Sequence, residues 1–387
     1  MSTRNFVAAA ATVQLLMCHL LAASALADSP WKKHVIHEGL RSNVVVAGDF
    51  TGDGKLDVIS NSGGKTRLFV APDWKEHVID ETEGHSFIHG ETFDIDGDGD
   101  PDFIGARYKP GLIVWLECPD DPTAGPWRAR IVDDKLNGIH GLLKGDVDVD
   151  GHTDLLANSG QPTGDFAFSG AWLSVPKNPR KAERWKRNIF SAGDAPGLSH
   201  YLGVGDINGD GRPDIAMAAK GGPTEIAKDG QWFAWWEAPK DPTQVFKKHL
   251  LPGIHPGATN IQQADINGDG KVDLFAARGH GVGLLWFENP TWKIHDVNTQ
   301  LACPHCLQVL DMDGDGDIDA ATCAYESKIA AWFENDGKGN FTTHIVGRDQ
   351  AAYDIRAIDL DSDGDIDLLI AGQDSNNVVW YENPTKN

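Results

Sequence analysis

Short apolar segments alternate with polar turns along almost the whole chain, and the alternation repeats as a unit. One apolar segment in each unit is centred on large residues: RLFVAP, IVWLECP, AWLSVP, FAWWEAP, LLWFENP, AAWFEND and VVWYENP, in chain order. In most units there follows an aromatic residue with histidine three positions later, as in Trp31–His34, Trp74–His77, Phe246–His249, Trp292–His295 and Phe341–His344. Runs this short, bounded by Gly, Pro, Asp and Asn, predict strands, four to a unit. Long amphipathic helical patterns are absent. Recurrence on the outermost predicted strand marks His34, His77, His249, His295 and His344 as structural.

Between the first two predicted strands of each unit lies an acidic loop. It recurs seven times, beginning at Asp49, Asp94, Asp146, Asp206, Asp265, Asp311 and Asp359, at steps of 45 to 60 residues. The chain opens on WKKHVI (residues 31–36), a fourth strand with no unit before it. It closes on VVWYENP, a third strand with no fourth after it. Each end supplies what the other lacks, and a ring joined this way leaves no sheet edge exposed. The expected fold is all-β: one seven-bladed β-propeller of four-stranded blades over residues 28–387, the last blade closed by the N-terminal strand 31–36. Each blade packs mainly on its neighbours, so this length needs no second domain.

The loops have the spacing of a calcium site. Positions 1, 5 and 9 are Asp in every copy, position 6 is Gly, and position 3 is Asp, Asn or Thr. Alternate oxygen-bearing side chains turn inward, and Gly permits the sharp turn. The candidate ligands are Asp49, Thr51, Asp53 and Asp57; Asp94, Asp96, Asp98 and Asp102; Asp146, Asp148, Asp150 and Asp154; Asp206, Asn208, Asp210 and Asp214; Asp265, Asn267, Asp269 and Asp273; Asp311, Asp313, Asp315 and Asp319; and Asp359, Asp361, Asp363 and Asp367. Up to seven structural Ca²⁺ sites are expected. Thr51 in the first loop and Val149, in place of Gly, in the third predict weaker sites there. These units resemble the FG-GAP or VCBS repeats of integrin-type and secreted bacterial propellers. In that family the loop joins the innermost and second strands of a blade and holds Ca²⁺.

Six residues before each loop, the opposite end of the innermost strand carries Asn43, Ile88, His140, His200, Thr259, His305 and Tyr353. At ~3.3 Å per residue these positions lie ~20 Å from the loops, on the other face of the ring. His89 belongs beside them, because FIHG at 87–90 matches GIHG at 138–141; His85 and His255 fall in neighbouring loops. The turns between second and third strands add Arg107, Tyr108, Lys109, Lys220, Arg278, His280, Tyr325 and Glu326 to the same face. Such a mixture suits proton abstraction beside a carboxylate or carbonyl, with a base, an acid and a cation close together. Zinc is a second candidate cofactor, held by funnel histidines.

The net charge of −23 excludes nucleic acid and anionic lipid as natural partners. Arg4, the apolar stretch Phe6 to Ala23 and the small-residue site Ala25-Leu26-Ala27 read as a signal peptide over residues 1–27. The product is therefore expected to be secreted or periplasmic. No later run reaches the ~20 apolar residues of a membrane span. Cleavage leaves Cys118, Cys303, Cys306 and Cys323, too few for a disulfide scaffold. Cys303-Pro304-His305-Cys306 reads as a local disulfide, two free thiols or a metal site.

The funnel arrangement also resembles ulvan-lyase-type propellers and the propeller domain of aldos-2-ulose dehydratase. That resemblance implies elimination on a carbohydrate. It would make His140, His200 and His305 base or metal ligands, Tyr325 or Tyr353 acid/base, and Arg107 or Arg278 the anion clamp. Tyr108, Lys220 and His89 would complete the substrate-binding set. The alternative is a noncatalytic propeller that binds an extracellular protein or a glycan, with Trp235, Trp236 and Tyr201 as stacking platforms. Chelation is expected to lower the melting temperature; an unchanged melt in excess chelator would remove the calcium assignment.

Overall fold

A computed structural model of the chain describes residues 30–82 and 86–385. The predicted signal peptide and His85 lie outside the described residues. Twenty-eight strands form seven antiparallel four-stranded sheets, and the one helical turn among the described residues is Pro179–Lys181. The innermost strands are Ser42–Gly48, His89–Phe93, Leu142–Gly145, Ser199–Gly205, Asn260–Ala264, Pro304–Leu310 and Asp354–Ile358. The chain is a seven-bladed β-propeller.

Closure follows the expected exchange. Lys32–Glu38 pairs with Asn377–Glu382 as the outermost strand of the seventh blade, in a register that sets Lys32 opposite Glu382 and Val35 opposite Val379. Second strands such as Asp57–Ser62 and Asp214–Ala219 are buried at every position, because a neighbouring blade covers each face. The cores lie between blades: Trp172 and Phe190 of the third blade share one cluster with Met217 and Trp236 of the fourth.

The recurrent outer-strand histidines brace this packing. His249 stacks on Trp235 at 4.2 Å between ring centres and bonds Glu237 at 2.7 Å. His295 stacks on Trp286 at 4.2 Å and bonds Glu288 at 2.8 Å. His34 and His344 repeat the arrangement on Trp380 and Trp332. In the second blade Arg130 takes this place, over Trp115 and against Glu117. His77 instead bonds the Thr123 carbonyl.

The acidic loops join first and second strands, as the repeat pattern requires. In the fourth loop the carboxylate of Asp206 accepts from the amides of Asp210 and Gly211, at 2.9 and 2.7 Å. Gly211 has φ +83°, a left-handed conformation that favours glycine. Asp214 at position 9 accepts from Ile207 at 3.1 Å and Ala238 at 2.8 Å, pinning the loop to the end of the third strand. Asp102, Asp273, Asp319 and Asp367 repeat this double bond.

Burial, reinforced by neighbouring carboxylates, pushes the Asp102, Asp154, Asp319 and Asp367 carboxyls up to about 7. Below that value such a carboxyl holds a proton in the folded chain and offers no charged ligand; raising the pH frees it. The melting-temperature gain from added calcium, relative to chelator, should therefore be larger at pH 8 than at pH 6. Thermal melts at both pH values measure it, and an equal gain would contradict carboxylate–cation competition with protons.

Candidate functional site

The innermost strands converge on the axis at the face opposite the acidic loops, around a cavity of about 450 Å³. All seven blades wall it, contributing in order Asn43, Ile88, His140, His200, His280, His305 and Tyr353. Thr259, the fifth-blade position in the sequence column, lies buried beneath the turn that presents His280.

Donor nitrogens of His140, His200 and His305 lie within 4.8 Å of one another. His200 Nδ1 is 2.9 Å from the Leu198 carbonyl and His305 Nδ1 is 3.1 Å from the Tyr353 carbonyl. A carbonyl only accepts, so both protons sit on Nδ1 and both Nε2 atoms carry the lone pair. His305 Nε2 and His140 Nδ1 are buried without a hydrogen-bond partner. Such nitrogens, two of them fixed by carbonyls on the far side of the ring, suit a metal ion.

His280 Nε2 stands 3.1 Å from His200 Nε2. Its turn is held by close approach: a Cβ on Gly279 would meet Thr259 Oγ1 at 2.4 Å, and one on Gly281 the Pro256 carbonyl at 2.2 Å. Burial lowers all four imidazoles: with neighbouring histidines and Lys220 it takes His140 to about 3, His280 to about 2 and His200 well below its ordinary value, and with Lys220, against the Tyr353 carbonyl, it takes His305 to about 4. All are neutral at physiological pH, the form that binds metals and accepts protons.

Sequence reasoning missed Asn158. Its side-chain oxygen accepts from the His140 and Gly141 amides, both at 2.8 Å, and its amide donates to the Ser199 carbonyl at 2.7 Å. One buried side chain thereby ties the His140 backbone to the strand that carries His200. The floor is Tyr201, whose hydroxyl is 3.2 Å from His305 Nδ1. Beneath it lies a second axial cavity of about 330 Å³, also walled by Tyr201.

Among the described residues no Asp or Glu lines the upper cavity, whereas Lys220 and Arg41 do. Burial lowers the Lys220 ammonium. Tyr108 and Tyr353 also line the cavity, and Tyr108 bonds Gln161 from the insert after Asn158.

Other candidates lie elsewhere. Arg107 pairs with Asp80 at 2.7 Å and packs over Phe87. Arg278 faces His255 and the Val282 carbonyl. Neither guanidinium lines the funnel. His89 lines the lower cavity, beneath the floor. Tyr325 bonds Asp374 at the rim. Trp235 and Trp236 are buried within the blades. All four described cysteines are free, buried thiols.

The acidic loops fit a cation. Three carboxylates converge within 4.8 Å in the second, third, sixth and seventh loops, and Asp148 Oδ1 and Asp359 Oδ1 are buried without a hydrogen-bond partner. In the second loop Arg180 from the next blade already reaches Asp96 at 2.8 Å, and it also pairs with Glu117 at the end of the third strand, at 2.7 Å.

A family of FG-GAP-like repeats matches residues 206–276, 265–321 and 311–370. This part of the chain carries FG-GAP-like repeats. Mouse integrin alpha-M is 29% identical over an alignment of 196 residues that covers 46% of this chain and 16% of the integrin. The matched part of the chain corresponds to about a sixth of that protein's length. Among solved structures, a streptogramin B lyase superposes with a TM-score of 0.59 at 10% identity, covering 91% of this chain and 97% of the other. BBS1N in complex with ARL6DN gives 0.59 at 12% identity over 93% and 98%. These two likenesses concern the fold alone.

Replacing Asn158 by Ala would leave the His140 and Gly141 amides unpaired in a buried site. Denaturant unfolding should show a loss of about 1–3 kcal/mol; an unchanged midpoint would mean that Asn158 does not brace the histidines.

Proposed function

We propose that this FG-GAP-like propeller is a secreted or periplasmic protein, stabilised by Ca²⁺ in its acidic loops, whose axial funnel acts on a carbohydrate by elimination. The observation that carries the reading is the set of convergent, neutral imidazoles at the base of a cavity lined by no described Asp or Glu, in a chain of net charge −23. In such a chain an acid-free pocket holding two cations favours a ligand with a negative or electron-rich group.

His140, His200 and His305 would hold a zinc-type ion. When bound, such an ion supplies Lewis-acid polarisation of a carbonyl or carboxyl oxygen. His280, a neutral imidazole in the same cavity, would take the proton from carbon, and Lys220 and Arg41, which face the same space, would balance the charge that builds there. In this reading they take the clamp role that the resemblance implied for Arg107 or Arg278. Tyr353, stacked on His305 at 3.9 Å, brings a phenol to the leaving oxygen.

A second reading is favoured by the integrin similarity: the same face would bind an extracellular protein without catalysis. No helix among the described residues is long and apolar enough to cross a membrane.

Metal analysis after mild calcium removal, together with ultraviolet absorbance of unsaturated products from uronic-acid polymers and keto-sugars, tests the enzyme reading. The expected result is retained zinc that is lost in His200→Ala and His305→Ala, and a kcat/KM lowered about 100-fold or more in Lys220→Met. Sugar or protein binding without absorbance change would select the noncatalytic propeller.

A further inference from the structure

The histidine cavity draws its lining from every blade of the ring. A groove that accepts the middle of a polymer must be open at two opposite sides, whereas this one is encircled by all seven blades. Its wall is continuous backbone over three blades. The Gly257 amide bonds the Lys220 carbonyl at 2.9 Å, His280 bonds Gly257 at 3.0 Å, Cys303 bonds Gly281 at 2.8 Å and Tyr325 bonds Cys303 at 2.8 Å. Across the second and third blades the Gln161–Tyr108 bond spans the rim.

The lower end is shut as well. Tyr201 stands between the two axial cavities, with the rings of His89, His140 and His305 at 5.0, 5.6 and 5.6 Å. Strands are jammed together at this level: a Cβ on Gly141 would meet the His200 carbonyl at 2.4 Å and Tyr201 Cα at 3.0 Å. The histidines therefore lie at the bottom of a blind well. Its volume of about 450 Å³ falls in the range of small-ligand sites, roughly 300–1,000 Å³.

From this geometry we infer that the funnel takes the terminal unit of a sugar chain, or a free sugar, and not an interior segment of a polymer. This rests on the carbohydrate reading above and restricts it to end-on entry. The Gln161–Tyr108 bond is a part of the wall that a side-chain change opens; between the seventh and first blades the Gln373–Asn43 side-chain bond, at 3.1 Å, takes the corresponding place.

The test compares a linear uronate oligosaccharide with the same compound blocked by bulky groups at both ends, using calorimetry and product analysis on the full-length chain. Blocking should weaken binding by at least about tenfold. From the earliest time points, products should be one or two units long, with polymer viscosity falling late. Gln161→Ala should shift products toward greater length while leaving the melting temperature near that of the unmodified chain. Equal affinity for blocked and unblocked ligand, or early mid-length products with a fast fall in viscosity, would overturn end-on entry and leave the carbohydrate reading standing. Absence of binding to every sugar tried would overturn both. A free keto-sugar converted while every oligosaccharide is refused would support end-on entry and identify the smaller substrate.

Discussion

The structure depends on one geometric constraint: seven sheets must meet edge-on around a single axis and close. Closure is made by backbone hydrogen bonds between Lys32–Glu38 and Asn377–Glu382, residues at opposite ends of the chain. Once the ring is shut, every innermost strand has a neighbour on each side, and a blade cannot swing outward without breaking two inter-blade cores. The convergence of His140, His200 and His305 follows from this. They come from three blades and lie far apart in sequence, and only the ring brings their nitrogens together.

The two faces then divide the chemistry. One collects the carboxylates in loops whose backbone amides already orient them, as Asp206 and Asp214 illustrate. The other collects imidazoles, phenols and two cations, with no acid in the cavity. Separating these groups by the length of a strand keeps the loop charges from protonating the histidines, which burial holds neutral. It also gives one end of each strand a rigidifying role and leaves the other free to vary.

Variation at the axis is controlled by small and amide residues that touch no ligand. Gly141, Gly279 and Gly281 allow strands and turns to approach at distances a side chain would forbid. Asn158 replaces a missing ladder bond with side-chain bonds to two strands. These residues set how closely the imidazoles meet, and hence whether they act as one site or as separate buried side chains.

The sequence by itself determined the blade count, the loop positions, the closing strand and the face on which the histidines gather, because each follows from a repeat period and a strand's alternation. It also placed Tyr108, Lys220 and Tyr353 in the funnel. Which other polar groups join them was decided by tertiary structure alone. Arg107 turns away because Asp80 of the preceding blade offers a buried partner, and His89 falls beneath the floor because Tyr201 of another blade fills the axis. Arg41 and Asn158 gave no sequence signal, since their roles lie in contacts across blade boundaries. A repeat pattern specifies where each strand begins, but the direction of a side chain at the axis depends on what the other six blades place there.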